Sequence, residues 1–188
     1  MIEKIVDGFR TIASLKSFLI GLGVYLLFGA YIMPQGAKKY QEISGKKVEI
    51  LDLQYSYAPE KARTIINSYG ADGRAFAIKF GLLADTLYPL VYTFLFIIIL
   101  ALIYKSLDKY GVVSKNIHLF PILILVADYC ENIGVAVLLY KYPNISDTQI
   151  NVVSAFTSLK WSLVIILALI ALGGLGTLLY CKLTRKPI

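Results

Sequence analysis

Near the middle of the apolar stretch FPILILVADYCENIGVAVLLY, residues 120–140, stand Asp128, Glu131 and Asn132. Spacings of three and four residues put them on one face of a helix. Two carboxylates and a carboxamide can bind a cation, exchange a proton or hold a hydroxyl. In a stretch long enough to cross a bilayer they are also costly. Each charged group at the centre of a membrane helix costs on the order of 2.5–3.5 kcal/mol, and polar groups there mark functional sites by default.

Two further apolar stretches supply partners. One carries Gly81, Asp85, Tyr88 and Tyr92 on a single helical face; the other gathers Ser154, Thr157, Lys160 and Trp161 within an arc of about 120°. Counted from outer ends at Ile78, Tyr140 and Val152, the residues Asp85, Glu131 and Lys160 lie about seven, nine and eight positions deep. At 1.5 Å per residue they share a level about 10–14 Å below the outer boundary, with Asp128 about one turn deeper.

Three acids and one lysine at one level leave a negative excess if all ionise, so protons, water or an external cation must make up the difference. The expected site is a pocket between the second, third and fourth crossings. Asp85, Asp128 and Glu131 would meet an amine, hydroxyl or proton, and Lys160 would balance part of their charge. Tyr88 and Asn132 would orient the ligand, beside Thr157. Aromatic side chains, Tyr92 and Trp161 with Tyr129 and Phe156, suit a cationic or flat apolar molecule.

Other readings of the same residues stay open. Buried polar groups can simply join helices, through pairs such as Lys160–Glu131 and Tyr88–Asp128. The carboxylates could serve a lipid-modifying enzyme as acid and base, although no residue is assigned a catalytic role. A proton- or cation-coupled transporter needs water routes from both sides, whereas the inner halves of the second and fourth crossings are uninterruptedly apolar. An assembly factor would bind another membrane protein, or a second copy of the chain.

The elements that must position these residues follow from composition and pattern. The chain has 188 residues, 57% of them hydrophobic, with a mean hydropathy of +0.68. Soluble domains average nearer 45–50% apolar. The expectation is an all-α integral membrane protein, a single domain of four transmembrane helices with a small extracytoplasmic cap between the first two. The crossings are placed at about residues 17–33, 78–104, 120–140 and 152–181, and the cap at 34–76.

Ile2, Ile5, Val6, Phe9, Ile12 and Ala13 form a stripe suited to the membrane surface. Pro34 is read as ending the first crossing. Residues 46–53, KKVEILDL, alternate well enough for a short strand. Pro59 and Glu60 open a short helix whose stripe is Ala62, Ile65, Ile66 and Tyr69, with Gly70 as its stop. Within the second crossing, Pro89 removes the hydrogen bond to the carbonyl of Asp85.

The net charge of +7 would suit nucleic acid, but the Lys and Arg residues lie between apolar blocks, as topology signals do. Lys4, Arg10 and Lys16, then Lys105, Lys109 and Lys115, then Lys182, Arg185 and Lys186 fall on one side; the third loop has only Lys141. The first loop is basic too, but it is longer and holds five acids, so the positive-inside rule favours both termini in the cytoplasm. Cys130, Cys181 and the sole histidine, His118, have neither CxxC nor metal-ligand spacing, so no metal and no cofactor is expected.

Four crossings, a capped first loop and the acid-x-x-x-Pro of Asp85 and Pro89, with Asp52-Leu53-Gln54 in the loop, resemble the EXPERA family of emopamil-binding proteins and sigma-2 receptors. The resemblance spans most of the chain in outline. It implies a cavity between helices, lined by acids, that takes sterols or cationic amphiphiles, with sterol isomerisation in some members. The family's acid near the end of helix one would correspond to Asp52. No histidine accompanies the acids, because His118 belongs to the opposite end, so isomerase chemistry is not expected here.

Overall fold

The computed structural model describes residues 8–111 and 116–184. Ile2, Ile5 and Val6 of the surface stripe, and Lys4, Lys115, Arg185 and Lys186 of the charge count, lie outside the described residues. Among the described residues the chain is all-helical, without strands. Four helical stretches are long and apolar enough to cross a membrane: Leu15–Ser44, Gly70–Tyr110, Ile117–Lys141 and Asp147–Thr184.

The first stretch is longer than its sequence suggests. Helix α1 (Leu15–Leu27) widens into a π turn (Phe28–Ile32) and runs on as α2 (Met33–Ser44). Pro34 does not end it. The proline falls in the first turn of α2, directly after the π turn has reset the backbone register, where a missing N–H is tolerated. The helix stops instead at Gly45, whose φ of +66° is left-handed.

Residues 46–53 form no strand. Leu51–Leu53 is a 3-10 turn, and the backbone around it bonds to helix side chains instead of a neighbouring strand. Helix α3 (Pro59–Ser68) opens on its proline and Glu60 and buries Ala62, Ile65 and Ile66. Burying each isoleucine contributes about 2 kcal/mol. Gly70, at φ +67°, turns the chain straight into α4 (Gly70–Leu107), which carries Pro89 inside it. Helices α5 (Pro121–Lys141) and α6 (Asp147–Thr184) complete the chain. With α2 reaching Ser44 and α4 starting at Gly70, the connection between the first two long stretches shrinks to residues 45–69.

The chain divides into two compact units. One takes the described parts of Met1–Tyr25, Val91–Ile124 and Leu163–Ile188. Its core gathers Leu100, Ile124 and Leu167 under Tyr92, Phe96 and Tyr104, and Arg10 pairs with Asp108 at its surface. The other unit, Leu26–Leu90 and Leu125–Ser162, has its core around Leu51, Tyr57, Ile66, Leu138, Ile150 and Val153. All the intramembrane acids of the sequence reading, together with Lys160, belong to this second unit.

Candidate functional site

Within the second unit, Pro89 sets the geometry of α4. Lacking an N–H, it leaves the carbonyl of Asp85 without its helical partner. Asn132 of α5 supplies one: its Nδ2 donates to that carbonyl at 3.1 Å. Tyr129 Oη donates to the next carbonyl, of Thr86, at 2.8 Å. These two bonds fix the level at which α5 meets α4, and so the level of Asp128 and Glu131.

Lys160 of α6 meets that level. Its Nζ pairs with Glu131 Oε2 and lies 3.5 Å from Asp128 Oδ1. All three are nearly sealed from solvent, with exposures of 0% for Glu131, 6% for Asp128 and 8% for Lys160. The sequence spacing placed these groups together, and the structure brings them into contact. Close approach of the two helices is permitted by Gly134, where a Cβ would stand 2.6 Å from a methyl of Val153.

The connection between α2 and α3 runs along the same helix. Tyr57 N donates to Ser154 Oγ at 2.9 Å, Ser158 Oγ donates to the Tyr55 carbonyl at 3.0 Å, and Tyr55 Oη meets Ser162 Oγ at 2.9 Å. Ser154, Ser158 and Ser162 recur every four residues, so their hydroxyls form one row on α6. At the far end Trp161 Nε1 donates to the Asp52 carbonyl at 3.1 Å, and Lys160 Nζ reaches the same oxygen at 3.4 Å. Thr157 Oγ1 lies 3.4 Å from Tyr57 Oη. Residues 52–57 therefore form a strap laid antiparallel along α6.

A cavity of about 870 Å³ opens in this unit. Its walls come from the π turn and α2 (Gly29, Met33, Tyr40), from α4 (Phe80, Leu82, Asp85), from α5 (Tyr129, Asn132, Ile133) and from the turn at Leu51–Leu53. No residue of α6 lines it. The volume is within the range of small-molecule sites, and the mixture of apolar walls with a few polar groups is typical of them. Leu82 is 70% exposed and Ile133 67% exposed, so large apolar side chains frame its open side. Gly81 gives Asp85 room: the carboxylate Oδ2 lies 3.1 Å from where a Cβ would stand.

Asp85 and Asn132 thus line the cavity, as do Asp52, Tyr40 and Tyr69. Asp128, Glu131 and Lys160 are engaged with one another behind it, and Thr157 and Trp161 hold the strap. Tyr88 stacks on Phe28 with ring centroids 5.7 Å apart. Tyr92 belongs to the other unit, tilted against Phe96 in its apolar core. The cavity is therefore walled by the first, second and third long helical stretches. The fourth spends its polar side chains on Glu131 and on the strap.

Asp52 is the site residue that residue patterning missed. In a polar loop an acid between two leucines carries no periodic signal; only the family likeness singled it out. Neither Asp52 nor Asp85 forms an ion pair with a described residue. Burial pushes the Asp52 carboxyl above its ordinary range, while Lys160 pulls it back. Tyr57 is pushed up to about 12, chiefly by burial. The Tyr69 phenol is raised further, by burial and by Asp52, and donates to the Glu49 carbonyl at 2.9 Å. No family model, curated protein or solved structure matches the chain, so the reading of this site rests on its own geometry.

Proposed function

We propose that the protein is a multi-pass integral membrane protein that binds a small lipidic or cationic amphipathic molecule in this cavity. The insertion reading is supported by the four apolar stretches and by the outward-facing Leu83, Leu87, Leu123, Val126, Ile165 and Leu169. Such side chains are stable when acyl chains surround them. Both termini would face the cytoplasm, by the distribution of Lys and Arg.

One observation carries the ligand reading: an apolar-walled cavity holds two carboxylates, Asp52 and Asp85, that no described cation pairs. Two acids in a low-dielectric setting need a proton or a counter-ion. An amphiphile with a cationic end and an apolar body satisfies both features of the cavity. Its head would rest at Asp85 and Asp52, ringed by Tyr40, Tyr69 and Asn132, and its body would leave through the flank framed by Leu82 and Ile133. Asp128, Glu131 and Lys160 then act as a buried join between α5 and α6, which combines the pocket reading of the sequence with its helix-joining alternative.

Native mass spectrometry of the gently purified chain tests the proposal. A retained small molecule, lost from both Asp85→Asn and Asp52→Asn, is the expected result. A wild-type chain carrying no adduct, or adducts indifferent to both substitutions, overturns it.

A further inference from the structure

The acid at position 52 belongs to an irregular segment, yet it stands level with Lys160, thirteen positions into α6 from Asp147. That is about 20 Å along the helix axis. Non-helical backbone so far along a membrane helix is tolerated only where protein groups satisfy its polar atoms. The strap meets that condition one bond after another. Ser154 accepts from Tyr57, Ser158 donates to Tyr55, and the Asp52 carbonyl receives both Trp161 and Lys160.

Because the Asp52 carbonyl is turned to α6 while the residue lines the cavity, the bonds on that carbonyl orient what the ligand meets. We propose that Trp161 and Lys160 are positioning residues for ligand recognition, acting through Asp52: they hold its turn so that Asp52 stands at the cavity beside Asp85. This rests on the cavity reading above. Trp161 suits the task because its indole N–H is a donor only and its ring is rigid. Lys160 adds a charge-assisted bond to the same oxygen, and its ammonium stands 5.5 Å from the Trp161 ring centroid.

A role through Asp52 differs from mere structural support in one measurable respect. A residue that acts only by placing the acid matters while the acid is present and ceases to matter once it is gone. The test is a titration of the full-length chain with dodecylamine, followed by native mass spectrometry, on the wild type, Asp85→Asn, Asp52→Asn, Trp161→Phe and the double variant Asp52→Asn/Trp161→Phe. The wild type should bind, and each aspartate variant should bind about tenfold or more weakly. Trp161→Phe should weaken binding about tenfold, the worth of one lost part-buried hydrogen bond, but should change the Asp52→Asn chain less than about twofold.

If the wild type takes up no dodecylamine, or Asp85→Asn binds as well as wild type, the cavity reading fails and this inference goes with it. If both aspartate variants bind weakly while Trp161→Phe binds normally, or costs as much without Asp52 as with it, the positioning role alone is overturned. Should Trp161→Phe fail to fold, Ser158→Ala removes the donor to the Tyr55 carbonyl on the same strap. The same dependence on Asp52 is expected of it, and additivity there overturns the role equally.

Discussion

Lys160 is asked to serve more acids than it can neutralise. Asp128 and Glu131 lie against its Nζ, while Asp52 meets it through its carbonyl and, without an ion pair, through the charge of its carboxylate. Two carboxylates are left facing the cavity, and their burial has a consequence for stability. The fold raises Asp52 above its ordinary value, so the folded chain holds that proton more tightly than the unfolded chain. The resulting stabilisation is complete below about pH 4, the unfolded value, and is lost as pH rises through the elevated one. Asp52→Asn, which cannot ionise, should therefore gain in melting temperature relative to wild type as pH rises above about 4. Parallel melting curves over that range would contradict the burial of this acid. The Glu131–Lys160 contact was legible in the sequence because each residue follows the helical period of its own stretch. Asp52 was not, because an extended strap has no period that shows which side chain faces which wall.

At the scale of elements, the junction of α4 with α5 is built on a defect. Pro89 withdraws one N–H from α4, and Asn132 fills the vacancy at the Asp85 carbonyl. The value of Asn132 should then depend on the proline. Asn132→Ala in the natural chain leaves a part-buried carbonyl without its protein partner and should cost about 1 kcal/mol. In a Pro89→Ala chain, where the helix can satisfy that carbonyl itself, the same change should cost less, by an interaction energy of at least about 0.5 kcal/mol. Thermal unfolding of the four chains in detergent measures it, and equal costs in both backgrounds would show that Asn132 does not replace the lost bond. The defect was readable from Pro89 alone, whereas the identity of the replacement donor was not. Pro34 teaches the converse. A proline read as a stop becomes a first-turn residue when a π turn precedes it, and nothing in the residues 28–32, FGAYI, announces that turn.

At the scale of the molecule, helix length bears on how the chain would lie in the bilayer proposed for it. Helix α4 has 38 residues, about 57 Å at 1.5 Å each, against a hydrocarbon core of about 30 Å. Inserted as proposed, it would have to tilt or project, and its sequence favours projection at the start, where Arg74 and Lys79 precede the exposed Leu82 and Leu83. On that proposal the start of the connection 45–69, ahead of the strap, would lie on the outer side and the Asp108–Tyr110 turn on the cytoplasmic side, by the Lys and Arg distribution. Lys47 and Lys109 are both exposed, one in each of these segments, and serve as markers once Cys130 and Cys181 are replaced by serine. In intact cells a membrane-impermeant maleimide should label Lys47→Cys and leave Lys109→Cys untouched until the membrane is permeabilised. The reverse pattern would invert the orientation while keeping the crossing. Labelling of both positions in intact cells would mean that no bilayer separates them, and the strap, the lateral opening and the buried lysine would then need an aqueous explanation.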